Sequence, residues 1–461
     1  MKIPTIFISL SAVLLSQAYA QQQDNWAVLV AGSKGMWNYR HQADVCASYQ
    51  LLRKNGFTED HIILMAVDDL VNDEDNPFPG QLFNEPNGPD VYAGCKIDYR
   101  GSDMVTPETF HAVLRGNSSA LPQGSKVLKS NENSNVFLFF SDHGEIGFLV
   151  FPEHQQLFAN ALNSTLAYMH ENKMYRKMVL YIEACHSASM FDGILPNNLG
   201  IYAVVAANAT QSSWGTYCYP YDIVNGQHML QCLGDMFAIS WMQTNKNATA
   251  QGGDLSVYTL EHQFKQLQKL VVKSQVLRFG DLSVAQEPVM AFQGVYNQQK
   301  HLQEQQAIYG GVDAHKRLRE LARLQLEESI EELNADELVQ KSSQEQSDAK
   351  LNYLYSQLLE KVRGEDAQID FANEITRRMK VDNIFVKIAA SLGLVDVSTE
   401  THVLPTNFDC LSSLIESYKS NCGPLHDYDL QYTAYFVQAC EKGENSAQIL
   451  SKNIKKVCSS F

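Results

Sequence analysis

Two residues of this chain stand where a nucleophile and its base would stand. Cys185 follows the apolar, β-branched run Met178-Val179-Leu180-Tyr181-Ile182, separated from it by Glu183 and Ala184. His143 follows a second such run, Val136 to Phe140, after Ser141 and Asp142. Apolar runs of this length read as buried strands. In open α/β sheets the ligand crevice lies beyond the carboxyl ends of the strands. Two neighbouring strands ending this way bring a thiol and an imidazole to one edge, and that pairing turns a thiol into a nucleophile. Each residue alone has a plainer reading, a small buried hydrophobe for the cysteine and a structural group for the histidine. Their joint placement is what points to chemistry.

The elements that must position this pair can be followed along the chain. Trp26 to Gly32 reads as a first strand, residues 43–55 as a helix ending at Gly56, and residues 61–67 as a second strand. A long loop with Pro77, Pro79, Pro86 and Pro89 follows, of a length that is more often functional than idle. Thr106-Pro107 opens a helix as N-cap and first helical residue. After the His143 strand come a helix near 157–175, the Cys185 strand, a strand at Ile201–Ala207, helices near 235–244 and 255–274, and a last strand at Val289–Gln293. Strands alternating with helices imply an open, mostly parallel sheet with helices on both faces, an α/β fold.

The character changes near residue 296. Beyond it only Pro405 and Pro424 occur, and no run reads as a strand. Residues 312–341 are highly charged, with helical spacing at Leu318, Leu321, Leu324 and Leu326. The expected organisation is an export signal at 1–20, a catalytic α/β domain at 21–295, a linker at 296–345 and an all-α, disulfide-stapled domain at 346–461.

The export signal rests on Lys2, the apolar stretch Ile3–Leu15 and the small-residue site Ala18-Tyr19-Ala20. That stretch is too short for a membrane span, and no later run is long enough for one. A soluble product of the secretory and endolysosomal or vacuolar route is expected. Nine cysteines in an exported chain imply disulfides with one thiol left over. Cys410, Cys422, Cys440 and Cys458 cluster in the tail, and Cys218 and Cys232 could bridge a Tyr/Pro/Gly loop. Cys46, Cys95 and Cys185 remain, with Cys185 the one expected to stay free. Sequons stand at Asn117, Asn163, Asn208 and Asn247. The formal net charge of −16 argues against a nucleic-acid partner. With no metal-ligand cluster and no phosphate-binding glycine loop, no cofactor or metal is expected.

Several motifs together resemble the legumain family, the asparaginyl endopeptidases or vacuolar processing enzymes among the caspase-like cysteine peptidases. They are Ala31-Gly32-Ser33 through Asn38-Tyr39-Arg40-His41-Gln42-Ala43-Asp44, Glu74-Asp75-Asn76-Pro77, Ser141-Asp142-His143-Gly144, Lys173 to Met178, Glu183-Ala184-Cys185 and Leu233-Gly234-Asp235. The tail cysteine spacing is similar to the family's prodomain. The resemblance implies a caspase-like fold and makes Cys185 the nucleophile and His143 the general base. Asn38 would orient the histidine, and the N–H groups of Gly144 and Cys185 would receive the oxyanion. For a substrate asparagine, Arg40 would donate to the carboxamide oxygen and Asp235 accept from its nitrogen. Glu183 would brace Arg40, with His41 and Ser212 lining the pocket. An aspartate substrate would be accepted only in acid, once protonated. Asp142 could cyclise to a succinimide, as in relatives with peptide-ligase behaviour.

The implied partners are peptide and protein substrates, cystatin-type inhibitors and the chain's own tail as an intramolecular cap released by acid. The activation cut would follow Asn334, with Asn297 as runner-up. Because all three parts are net negative, local pairing must hold the cap, with Arg377 and Arg378 facing the acidic cleft. Two departures stand out. His186 follows the nucleophile, either tuning the site's pH profile or, by default, merely tolerated there, and Arg115-Gly116-Asn117 lacks the Arg-Gly-Asp of mammalian members. The alternatives are a transpeptidase using the same Cys–His site and a non-catalytic binding protein. The glycolipid-anchor transamidases share the motifs but add a membrane segment.

Overall fold

The computed structural model describes residues 24–250, 257–294, 343–391 and 403–459. The segment 1–20 and residues Asn297 and Asn334 lie outside them. Six strands form the central sheet, in the spatial order Leu277–Gly280, Ile201–Val205, Lys177–Glu183, Asn135–Ser141, Asn25–Ala31, Ile62–Met65. Every pairing is parallel except the last-formed edge, where Leu277–Gly280 runs antiparallel to Ile201–Val205. The chain builds outward from Asn25–Ala31 to Ile62–Met65, then returns to the other side at Asn135–Ser141. That reversal is the topological switch point where open sheets bind ligands.

Alternating side chains divide the sheet's strands between two cores. Leu29, Leu64, Phe137, Phe139, Val179 and Tyr181 face one side, with Trp241 and the helix Tyr39–Lys54 packed on them. Val28, Val30, Ile63, Leu138, Phe140, Leu180 and Ile182 face the other, covered by the helices Pro107–Leu114 and Ala159–Glu171. The helix at Pro107 begins as its sequence implies: Thr106 Oγ1 accepts from the Thr109 N–H at 3.1 Å.

The structure departs from the sequence reading in three places. Val289–Gln293 is not a strand. Met290–Gln293 is a single helical turn, and the sheet's last strand is Leu277–Gly280. The apolar run at 289–292 is buried on all sides, and burial alone does not distinguish strand from helix. Beyond residue 296 there is a short strand, Gln344–Glu345, paired antiparallel with Trp214–Thr216. The helix that follows, Ala349–Leu359, buries Tyr353 and Leu354 in the first core. Residues 344–359 thus pack with the α/β part as well as with the tail, where Lys350 pairs with Glu374 and Asp348 with Arg378.

The tail is a helical unit of Glu365–Ser391, Phe408–Cys422, Ala434–Glu441 and Glu444–Cys458. Cys410 joins Cys440 and Cys422 joins Cys458. Its core is not its own alone. Phe385, Ile415, Tyr418 and Phe436 share a cluster with Ile146, Phe148 and Val150, which belong to the hairpin just after His143. Elsewhere Cys46 pairs with Cys95 and Cys218 with Cys232, leaving Cys185 as the free thiol. Among the described residues no helix is long and apolar enough to cross a membrane.

The Cys46–Cys95 bond ties the helix Tyr39–Lys54 to the long proline-containing loop across 49 residues of chain. Replacing both by alanine should cost about 2–4 kcal/mol by loop-closure entropy. Thermal unfolding of the non-reduced protein against the variant measures this directly.

Candidate active site

Sheet register brings the two chemical residues together. Ser141 pairs with Glu183 across the central strands, so His143 and Cys185 each lie two residues beyond a matched strand end. Both are nearly buried, at 4% and 7% exposure. His143 Nε2 lies 2.8 Å from Asn38 Oδ1, while Asn38 Nδ2 donates to the Lys34 carbonyl at 3.2 Å. With its amide so oriented, Asn38 accepts from Nε2–H, and the bare nitrogen of neutral His143 is Nδ1. The Cys185 sulfur accepts from the Ser213 N–H at 3.3 Å and lies 3.7 Å from Ser213 Oγ.

Gly144 must be glycine for a backbone reason. A Cβ there would lie 2.6 Å from the Cys185 carbonyl oxygen. Gly32 is confined likewise, because its Cβ would meet Asp142 Oδ2 at 2.4 Å and the Val150 carbonyl at 2.6 Å.

Beside the pair lies a closed polar pocket. Arg40 Nε donates to Asp235 Oδ1 at 2.9 Å and Nη1 donates to the Trp37 carbonyl at 3.0 Å, leaving Nη2 buried without a partner. His41 Nδ1 lies 2.6 Å from Ser33 Oγ and 3.2 Å from Asp142 Oδ1, and its ring meets His143 edge-on at 5.2 Å between centroids. Glu183 does not brace Arg40 directly. Its Oε2 accepts from the Ala238 N–H at 2.9 Å, and Arg40's carboxylate partner is Asp235. Asp44, which stands in the N-terminal motif without an assigned role, accepts from Asn84 at 2.8 Å and from the Asp235 N–H at 3.3 Å. Burial raises the carboxyls of Asp44, Asp142, Glu183 and Asp235, with Arg40 opposing that rise at Asp235.

The tail and its leading segment occupy both halves of the site. Asp427 Oδ2 lies 3.5 Å from His143 Nε2 and accepts from Trp37 Nε1 at 3.2 Å and Asn38 Nδ2 at 3.4 Å. His154 Nδ1 is 3.7 Å from Asp427 Oδ1. Gln346 Nε2 donates to Asp235 Oδ1 at 3.0 Å, while its Oε1 is buried without a partner. Ser212 Oγ donates to Glu345 at 2.5 Å. Arg377 lines a cavity with Gly35, Trp37, Asp73 and Asp75 of the catalytic part, but neither its ion pairs nor those of Arg378 are made to those residues. The two arginines pair with Glu374, Asp429 and Asp348, side chains of the same C-terminal segment. Burial pushes the Cys185 thiol up to about 12 and the His143 imidazole down to about 4. Both groups are therefore neutral over a wide range while the cap is on. The two histidines hold the Asp427 carboxyl well below the usual carboxylate range against its burial.

Of the remaining sequence-level positions, Asn117 is exposed, whereas Asn163, Asn208 and Asn247 are half-buried. His41, Asp142 and His143 lie close enough to hold a metal ion, but His41 and Asp142 are fully buried and the neutral imidazole of His143 is engaged by Asn38. Ser213, Asp427 and Gln346 carry no sequence signal, since they reach the site only through the fold.

Comparison with known proteins gives a consistent picture. A profile described as the peptidase C13 family matches residues 25–295, and one described as the legumain prodomain matches residues 369–458. The chain is 35% identical over 442 residues to vacuolar-processing enzyme beta-isozyme 1 of Oryza sativa subsp. japonica, covering 93% of this chain and 83% of that one. It is 35% identical over 447 residues to legumain of Bos taurus, covering 95% and 93%. A solved caspase-1 from Spodoptera frugiperda aligns at 10% identity and a TM-score of 0.33, covering 56% of this chain and 87% of that one. The sheet order above, rather than that alignment, carries the fold.

Asn38→Ala removes the acceptor that fixes the His143 ring. It should lower kcat/KM roughly 10- to 100-fold, mostly in kcat, because substrate binding does not depend on the tautomer. Steady-state kinetics on the activated enzyme checks this.

Proposed function

The chain belongs to the peptidase C13 family and is a cysteine endopeptidase made as a zymogen; we propose that it cuts peptide bonds after asparagine, and after aspartate in acid, once acid has released its C-terminal cap. The observation that carries this reading is the carboxamide of Gln346 against Asp235 in the pocket beside Cys185. A pocket selecting a carboxamide needs a donor for its oxygen and an acceptor for its nitrogen. Asp235 is the acceptor, and the unpartnered Nη2 of Arg40 is the available donor. The amide end of Gln346 reaches Asp235, but its oxygen has no partner, so glutamine fills the pocket imperfectly. Asparagine, one methylene shorter, is the side chain we assign to it. An aspartate would meet Asp235 as a like charge until protonated.

In the reaction so assigned, Nδ1 of His143 takes the Cys185 proton and the sulfur adds to the scissile carbonyl. The N–H groups of Gly144 and Cys185 receive the oxyanion. The C–N bond breaks, His143 returns its proton to the leaving amine, and water hydrolyses the thioester. We assign 21–295 to catalysis, 296–345 to activation and 346–461 to the cap, with Gln344–Gln346, at the junction of the last two, as the plug. The vacuolar names of the plant relatives support a vacuolar or lysosomal destination.

Acid release follows from His143. Its imidazole is held down to about 4 under the cap, against an ordinary value near 6.5 in the open. The cap adds to the burial that lowers it while its Asp427 opposes the shift, and Arg40 and His154 of the catalytic part add to it; so far as covering by the cap supplies the burial, the capped state binds fewer protons and loses stability as pH falls towards 4. Asp427 stays charged throughout that window.

The test is to hold the secreted protein at pH 4 to 5 and then assay a fluorogenic peptide ending in asparagine, beside Cys185→Ala. Cleavage should appear only after acid, with shortening of the chain; an added amine nucleophile separates hydrolysis from transpeptidation. Absence of cleavage from folded protein would overturn the reading. A second prediction concerns the plug. Gln346→Asn should turn it into a substrate, giving a new chain end after residue 346 that N-terminal sequencing detects.

A further inference from the structure

His186 stands directly after the nucleophile in the left-handed region, at φ 53°, a conformation an L-residue adopts only when its surroundings hold it there. Its N–H donates to the Gln211 carbonyl at 2.8 Å. The ring is fixed at both nitrogens. Nδ1 lies 3.1 Å from the Ala209 carbonyl oxygen, which can only accept, so Nδ1 carries a proton. Nε2 lies 3.4 Å from Glu145 Oε1. Glu145 is 4% exposed, and the same oxygen accepts from the Ile146 N–H at 2.9 Å.

With Nδ1 protonated, a neutral imidazole turns a lone pair toward Glu145. A carboxylate in the same place would face lone pair with lone pair in a buried setting. One proton must therefore lie between Nε2 and Oε1, whichever atom holds it. The pair is then neutral with one proton, positive with two and negative with none. Glu145 lies two residues beyond the general base and His186 directly follows the nucleophile, and the Glu145 charge acts on the sulfur. The Glu145 carboxylate raises the Cys185 thiol, and His186 in turn lowers Glu145 against its burial. Glu145, His186 and Cys185 are thus the ionisable groups that act on one another here. On the far side, His143 is engaged by Asn38 and, under the cap, by Asp427.

We propose that Glu145 and His186 are a positioning pair that shares one proton and sets the charge beside Cys185, the shared proton offsetting a Glu145 charge that would otherwise hold the thiolate back. Neither residue touches substrate in this role. The inference rests on Cys185 being the nucleophile, and not on what the pocket selects.

The experiment is the pH dependence of iodoacetamide alkylation of Cys185 in the full-length chain after acid exposure, between about pH 4 and 9, with Cys185→Ala as background. Alkylation reads thiolate without any peptide substrate. Glu145→Gln should shift the midpoint down, with roughly three- to tenfold faster alkylation at pH 6. His186→Gln, which strands the Glu145 carboxylate, should shift it up by a similar factor, and the double variant should return towards the parent. His186→Asn serves the same arm should His186→Gln not fold. Midpoints that stay put, that move in the same direction in both single variants, or that fail to recover in the double variant overturn the proposal. So does a thiol that never alkylates across the range. Asparagine-peptide cleavage by the same samples tests the peptidase reading separately, so either reading can fail without the other.

Discussion

One guanidinium and four carboxyl groups share a closed space at the carboxyl edge of the sheet, and the shape of the site depends on how they settle their charges. Asp44, Asp142, Glu183 and Asp235 are fully buried, and Arg40 is the fixed cation they bond to or act upon. Several buried anions around one cation would cost several kcal/mol each, so burial drives the carboxyls toward protonation. The Arg40 Nε bond sets Asp235 apart from the rest, as the carboxylate that receives the charged donor. Asp44 then holds the Asp235 backbone and, through Ser141 Oγ at 3.2 Å, the end of the strand leading to His143. The start of the helix Tyr39–Lys54, two strand ends and Gly234–Asp235 are fixed by this one arrangement.

The cap occupies the site at two points. Asp427 and Gln346 arrive from two different segments, one at the base and one at the pocket. Burial leaves the thiol and the imidazole each in the neutral form, the pair from which proton transfer would start, and the two cap residues take the places a substrate would need. The same surface that covers His143 is structural for the cap, since Ile146, Phe148 and Val150 complete its core. Inhibition and cap folding thus draw on a single patch.

The sheet and the dyad were legible because long apolar runs stop abruptly at polar residues, and because a parallel sheet gathers such stops on one edge. Legibility ended where the fold folds back on itself. Ser213 and Asp44 reach the sulfur and the pocket through register and packing, which no local spacing encodes. Asp427 lies 284 positions from His143, and a lone aspartate in a helical tail carries no mark of its partner. Arg377 and Arg378 misled for the opposite reason: basic residues invite a distant acidic partner, but Glu374 at three and four residues' spacing along their own helix satisfies them first. The run at Val289–Gln293 misled because burial from all sides erases the periodicity that separates strand from helix.

On the proposed reading, in which a substrate takes the place of Gln344–Glu345 beside Trp214–Thr216, that two-residue ladder has a consequence for which proteins can be cut. A strand edge offers hydrogen bonds only to a backbone that is itself extended and has its own groups free. A segment inside a helix, or one already paired in a sheet, cannot lie along that edge whatever side chain it offers the pocket. The enzyme's targets are therefore decided as much by the looseness of a client's backbone as by its spelling. Linkers, loop tips and unravelled segments can be read, while the folded interior of the same client stays out of register with the blade.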